Sequence, residues 1–332
     1  MPVDKPASLT KLGALLRDQD GVVARFQILE CGLDDIFIRS RVRRREWVLL
    51  HRGVYVDHTG PPTWRQRAWA AVLHYWPAAL ADESALIAHG LRPEEPSGPP
   101  HHSRPVHIAI DQSRRVAKSA GVRIHRYVGL DQLVNHNFSP PRMRLEEALV
   151  AVAAKQRREA AAIGCLADGC QSRRTTPSRV AEVLRRHPRL KHRRFLLDVL
   201  ENVATGAYSV LEHRYLTRVE RPHGLPTAKR QRRVRPGRSA AYRDVEYRII
   251  GLVVKLDGRL GHELALDRWD DFDRDIASVV AGDTTIRAGW GQVLEPCRLA
   301  LGVVRIMRAL GWRGMPHPCR PGCALEQLDG ET

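Results

Sequence analysis

The sequence predicts a multidomain α/β protein, and three observations carry that expectation. A chain of 332 residues is longer than one small hydrophobic core usually organises. Stretches with apolar residues at helical spacing alternate along it with short runs rich in Val and Ile that read as strands. The charge is also uneven: the formal net charge is +17, and residues 173–239 hold 16 Arg and 2 Lys against 5 acidic residues, a surplus of 13. Such a field attracts polyanions, double-stranded DNA first among them. No apolar run reaches the roughly 20 residues a membrane span needs. The opening residues lack the apolar core of a signal peptide, and six cysteines in this length do not make a disulfide scaffold, so a cytoplasmic location and no membrane partner are expected.

Residues 1–60 read as a small DNA-binding domain. Leu12, Leu15 and Leu16 give a helix over 9–17, and Gly21, Val22 and Val23 turn into a second helix over 24–31 that Gly32 ends. Asp34 and Asp35 cap a third helix over 36–45. That helix sets Arg39, Arg43, Arg44 and Arg45 beside Ile36, Phe37 and Val42, and residues 47–50 and 53–56 make a short hairpin around His51 and Arg52. Three helices and a basic hairpin are the parts of a winged helix-turn-helix, whose third helix enters the major groove while the wing touches the backbone. Arg39, Arg43, Arg44, Arg45 and Arg52 are therefore candidate DNA contacts. The competing reading is a helical bundle with a solvated basic face.

Residues 61–156 read as a mixed α+β middle domain. A helix over 64–75 is followed by a strand or turn near Ala79 and a helix capped by Asp82 that ends at Gly90. Strands are expected over 106–110 and 122–125, on either side of a basic turn, and a helix over 145–155. His89, His107 and His125 are too irregularly spaced for a ligand motif and read as satisfied polar residues lining a crease.

Residues 157–205 form a basic helical connector, with helices over 177–187 and 195–203. Its arginine clusters, Arg185 with Arg186 and Arg193 with Arg194, are followed further on by a run that includes Arg232 and Arg233. Arginine binds phosphate through two parallel hydrogen bonds and keeps its charge, so this belt is a candidate for backbone contacts. A basic surface that only keeps the chain in solution is the alternative.

In residues 206–314 the pattern centres on a hairpin, strands 242–248 and 252–257, with Gly251 at the turn and Gly258 at the end. Alternation puts Asp244 and Glu246 on one face of the first strand and Lys255 and Asp257 on one face of the second. Ile249, Ile250, Leu252, Val253 and Val254 mark the hairpin as buried on at least one side. Acidic groups on an apolar hairpin are costly to bury alone, and a divalent metal or a phosphate is the usual partner. A helix over 208–219 presenting Glu212 and a basic strand over 229–235 precede the hairpin. An amphipathic helix over 264–280, a strand over 284–290 and a helix over 292–310 follow it.

Two resemblances follow from these residues. Residues 21–55, with Trp47 and the closing run Arg52, Gly53, Val54 and Tyr55, resemble the N-terminal winged-helix domain of the type IV, AbiEi-like antitoxin family of toxin–antitoxin systems. The likeness extends more weakly into the middle domain. It implies promoter binding, repression of the protein's own operon and a cognate toxin as partner. The helix, three strands, helix, strand and helix of residues 206–314 resemble the αβββαβα core of PD-(D/E)XK, restriction-endonuclease-like nucleases, in particular the very-short-patch-repair-like branch. The matching positions are Asp244, Asp257, Gly258 and His262, with Glu212 where that family carries an accessory carboxylate. The resemblance implies Mg²⁺ held by Asp244, Asp257 and Glu212, with Lys255 and His262 completing the catalytic set. The departure is Lys255, which stands where the family has Glu. A cation there removes a ligand and adds repulsion, so the expectation is a DNA-binding regulator with a degenerate nuclease-like domain. An active Mg²⁺-dependent endonuclease is the alternative.

Residues 315–332 read as a flexible, Pro-rich tail. His317, Cys319 and Cys323 suggest a metal knuckle completed by Cys297, but only one cysteine pair has zinc-site spacing, so zinc is not expected.

Overall fold

The computed structural model describes residues 5–94, 104–205, 209–230, 243–257 and 284–330. These form two compact units, Met1–Ala151 and Val152–Thr332, and no described helix is long and apolar enough to cross a membrane. Each unit combines helices with sheet, which makes the chain an α/β protein of more than one unit. Arg232, Arg233, His262 and the helix expected over 264–280 lie outside the described residues.

In the first unit, α1 (Lys5–Asp18) leads to β1 (Val22–Ala24) through Gly21. At φ +81° Gly21 occupies backbone space that suits glycine, and a Cβ there would run into the Asp57 carboxylate. Residues 22–24, expected to be turn and helix, form a strand because each pairs with β3 (Val54–Val56), Val22 with Val56 and Ala24 with Val54. All three are buried, so they carry no alternating pattern that would reveal a strand locally. Next come α2 (Arg25–Glu30), α3 (Asp35–Arg43) and β2 (Val48–His51), and the sheet order is β1-β3-β2, antiparallel throughout. Asp34 caps α3 as expected, its carboxylate accepting the Phe37 amide at 2.8 Å.

One face of this sheet and the helices before it enclose Leu12, Val23, Ile28, Ile38 and Trp47. Val22, Ala24, Val54 and Val56 instead pack on Trp69, Ala70 and Leu73 of α4 (Trp64–His74). β1 and β3 are therefore buried on both sides, and residue 60 does not separate two cores. The rest of the unit is a five-stranded sheet built from β4 (Ala79–Leu80), β5 (Val106–Asp111), β6 (Val122–Tyr127), β7 (Val134–Asn135) and β8 (Arg142–Met143), in the order β6-β5-β4-β8-β7. Between β4 and β5 runs α5 (Asp82–Ala88), and β6 leads through the single turn α6 (Leu130–Leu133); α7 (Leu145–Lys155) closes the series. Asp82 is not the cap of α5: the capping position is Ala81 and Asp82 is the first helical residue, with φ +47°.

The second unit opens with α8 (Glu159–Gln171), α9 (Pro177–Arg186) and α10 (Arg193–Thr205). In α9, Thr176 caps the start and Pro177 takes the first turn; Val180, Ala181, Val183 and Leu184 form its buried stripe. Then α11 (Ser209–Arg214) runs on through π-helical Tyr215–Glu220 and a 3₁₀ turn, Arg221–His223. The sheet is β12-β11-β10-β9, from β9 (Lys229–Arg230), β10 (Arg243–Tyr247), β11 (Leu252–Asp257) and β12 (Thr284–Gly289); β11 and β12 are parallel and the other pairs antiparallel. Val245, Tyr247, Leu252, Val254 and Leu256 fill its buried face. The Tyr247 hydroxyl lies 3.0 Å from that of buried Tyr215 and donates to Glu220 at 3.5 Å.

Three expectations fail in this unit. Ile249, expected in the buried part of the hairpin, sits at its tip and is fully exposed. The single final helix is two, α12 (Trp290–Val293) and α13 (Pro296–Ala309), because Pro296 lacks the amide that would continue the first and instead starts the second. The tail is not loose: a 3₁₀ helix, Ala324–Gly330, follows Cys323, and Cys323, Leu325 and Leu328 are buried.

Candidate nucleic-acid interface

The α2–α3 pair is braced from inside. The Arg25 guanidinium grips the Asp35 carboxylate through two bonds of 2.7 Å, which joins the first turn of α2 to the first turn of α3 and holds Asp35 below the usual carboxylate range. At the other end Arg41 pairs with Glu46 and lies 5.0 Å over the Phe37 ring. Phe37 in turn meets Trp47 edge-on at 5.8 Å, and Trp47 meets Tyr55 at 6.0 Å. The remaining arginines, Arg39, Arg43, Arg44 and Arg45 on or just after α3 and Arg52 in the β2–β3 turn, are all exposed. None of these five forms an ion pair with a described carboxylate. Ile36 is 67 % exposed and Leu49 54 %, so apolar surface is interleaved with the charge. Gly53, at φ +75°, lets the two-residue turn place Arg52 at the tip of the hairpin. His51, beside it, is pushed down to about 4 by burial and by the neighbouring His74, whose ring stacks on it at 5.0 Å.

Many belt arginines have other occupations. Arg214 donates to Glu159 at 2.6 Å and sits 3.7 Å over the Phe195 ring. Arg193 donates to the carbonyls of Leu184 and Arg185, closing the C-terminus of α9. Arg185 pairs with Glu201 at 2.8 Å and Arg158 with Glu295 at 3.2 Å. Arg173, Arg189, Arg194, Arg218 and Arg221 are exposed.

On the β10–β11 hairpin, the register sets Asp244 opposite Lys255 and Glu246 opposite Val253, so the acids and the lysine occupy one face as expected. Asp257 lies two residues beyond Lys255 on the same strand face. The residue that sequence reasoning missed is Arg287, which the parallel β11–β12 pairing sets beside Lys255 on the other side. A row of Asp244, Lys255 and Arg287 thus crosses three strands. Glu212 lies on α11, half-buried. The aligned row is a poor fit to a divalent cation. A cation set in the row beside an acidic position repels a divalent ion where a carboxylate would attract it. Lys255 and Arg287 together therefore offset the charge of two of the three expected ligands.

Of His89, His107 and His125, the last two converge and His89 does not. His89 bonds the Met143 carbonyl at 2.9 Å. Asp82, which nothing in the spacing connects to them, brings one carboxylate oxygen 2.9 Å from His125 Nε2 and 3.4 Å from His107 Nδ1; the two nitrogens are 3.2 Å apart. Asp82 is 1 % exposed. Burial, helped by the Asp82 and Glu147 carboxylates, pushes the nearby Tyr127 hydroxyl far above its ordinary range and keeps it neutral.

No protein-family model and no curated protein matches the chain. Among solved structures, the crystal structure of the Rv2827c protein from Mycobacterium tuberculosis aligns with 58 % of this chain and 77 % of that one, at a TM-score of 0.36 and 18 % identity. A likeness that slight carries no argument about fold or function.

Proposed function

We propose that the protein is a double-stranded-DNA-binding regulator that engages DNA through α3 and the β2–β3 hairpin. Three helices with an antiparallel three-stranded sheet and a basic turn suit a winged helix-turn-helix, with α3 in the major groove and Arg52 against the backbone. The observation that carries this reading is the division of labour among the arginines: Arg25 and Arg41 hold the helices in place, while Arg39, Arg43, Arg44, Arg45 and Arg52 are exposed and form no ion pair with a described carboxylate. The antitoxin resemblance adds repression of the protein's own promoter and a cognate toxin as partner. The test is binding to duplexes from its own upstream region, measured across a salt series. Wild type should show a steep salt dependence, and Arg43→Ala with Arg44→Ala should flatten it. Unchanged affinity at matched salt would remove α3 from the interface.

In the second unit we read the nuclease-like hairpin as a degenerate element kept for contact with DNA, with an Mg²⁺-dependent endonuclease as the other reading. What favours the degenerate reading is the Asp244, Lys255 and Arg287 row, which suits a phosphate better than a metal. Plasmid incubated with Mg²⁺ or Mn²⁺ should stay supercoiled in the presence of the wild type. Metal-dependent cutting that disappears in Asp257→Ala would establish the endonuclease instead.

A further inference from the structure

We propose that His223, Cys297, Cys319 and Cys323 form a structural zinc site in the second unit. The four donor atoms come from three separate parts of the chain and lie within 4.8 Å of one another. Cys297 Sγ is 3.5 Å from Cys319 Sγ, which is 3.9 Å from Cys323 Sγ, and all three are free thiols. Tetrahedral zinc, with Zn–S near 2.3 Å and Zn–N near 2.0 Å, sets its donors about 3.5–3.8 Å apart, close to the two thiol separations here.

The histidine is the observation that decides between a metal and a chance gathering of thiols. His223 is 0 % exposed, and its Nδ1 lies 2.8 Å from the Val219 carbonyl, to which it donates a hydrogen bond. That fixes the tautomer: Nε2 carries a lone pair and no hydrogen. Nε2 is buried and has no hydrogen-bond partner among the described residues. A buried acceptor left unpaired is costly, and coordination to a cation at the thiol cluster satisfies it. A backbone carbonyl holding the other ring nitrogen is also how metal-binding histidines are usually oriented.

The chain is shaped to present these ligands. The Cys323 amide donates to the Arg320 carbonyl at 3.1 Å and Gly322 adopts φ +75°, which folds Cys319 and Cys323 towards each other. Cys297 is the second residue of α13, where the helix N-terminus favours a thiolate. His223 ends the 3₁₀ turn after α11, and its carbonyl accepts the His317 amide at 3.2 Å. With four protein ligands no position is left for water, so the site staples rather than catalyses. On binding, the three thiols release their protons to solvent and His223 stays neutral, which leaves the site with one net negative charge. It would join the C-terminal turn to α13 and to the helix bearing Glu212.

The test is metal analysis of the full-length protein purified without chelator, with cobalt substitution as the spectroscopic reading. Wild type should carry about one zinc per chain, and Cys319→Ser should hold less than about a fifth of that. Cobalt-loaded wild type should show the thiolate-to-metal charge-transfer band and intense tetrahedral bands, and the charge-transfer band should weaken in Cys297→Ser. His107→Ala should leave both readings unchanged. Should the serine variants fail to fold, wild type stripped by chelator and reloaded with zinc gives the same answer, because reloading should return all three thiols to protection from a thiol reagent. Zinc-free wild-type protein that takes up no cobalt, a spectrum without thiolate bands, or zinc retained in Cys319→Ser and lost in His107→Ala would overturn the proposal.

Discussion

The arginines of α3 and those of the segment from α9 to α11 look alike as a count of charges and differ as chemistry. The segment holds seven arginines over residues 177–214 against five over 35–45, yet Arg185, Arg193 and Arg214 serve its own helices, two bonded to carboxylates and one to helix-end carbonyls. Around α3 the inner pair, Arg25 of α2 and Arg41 of α3, is engaged, and the outer set forms no ion pair with a described carboxylate. Charge density in a sequence therefore ranks how strongly a region attracts a polyanion, while availability to a phosphate depends on whether a carboxylate already holds each guanidinium. An engaged arginine must give up the partner it already holds before it can bind another.

The largest expected effect breaks the comparison directly. Arg43→Ala with Arg44→Ala should weaken DNA binding by about tenfold or more near 0.1 M salt and reduce the log–log salt slope by roughly 2, without changing thermal stability. Arg189→Ala with Arg194→Ala, on the segment from α9 to α11, should cost less; an equal or greater loss would mean that this segment and not α3 carries the contact. Next in size is Arg214→Ala, which should lower stability by about 2 kcal/mol with little change in DNA affinity, because it removes a half-buried ion pair and a cation–ring contact. Chemical denaturation against binding at matched salt separates the two effects.

A smaller effect is pH-dependent. His51 is neutral in the fold with its pKa pushed down to about 4, below the ordinary value of 6.5. Below 6.5 the unfolded chain binds a proton that the folded one refuses, so its contribution to stability is present above pH 6.5 and is lost as the pH falls towards 4. After allowance for partial exposure this amounts to about 1–2 kcal/mol. Denaturation midpoints should fall between those pH values in wild type and less steeply in His51→Gln; parallel curves would mean that other groups govern the acid transition.

Local structure was legible where local chemistry dictates it. The helix over 145–155 and the strand over 252–257 fall where their patterns place them, and Asp34 caps α3. Where a pattern was too short or shared, the reading failed. Three uniformly buried residues at 22–24 look like neither strand nor turn until β3 is beside them. Asp82 offered a helix cap to local reasoning and is turned instead to His107 and His125. Cys297, Cys319 and Cys323 were named from the sequence with His317 beside them, whereas His223 lies too far along the chain for any spacing rule to reach.

By itself the sequence determined the charge, the alternation that puts Asp244 and Lys255 on matching faces, and the identities of every group able to bind phosphate or metal. These follow from composition and from backbone periodicity, which are local. Only the tertiary structure decided which arginines are engaged, that Arg287 stands beside Lys255, and that His223 points an unpaired nitrogen at the described thiol cluster. Those outcomes depend on distances between residues remote in sequence, and packing of the whole chain sets such distances.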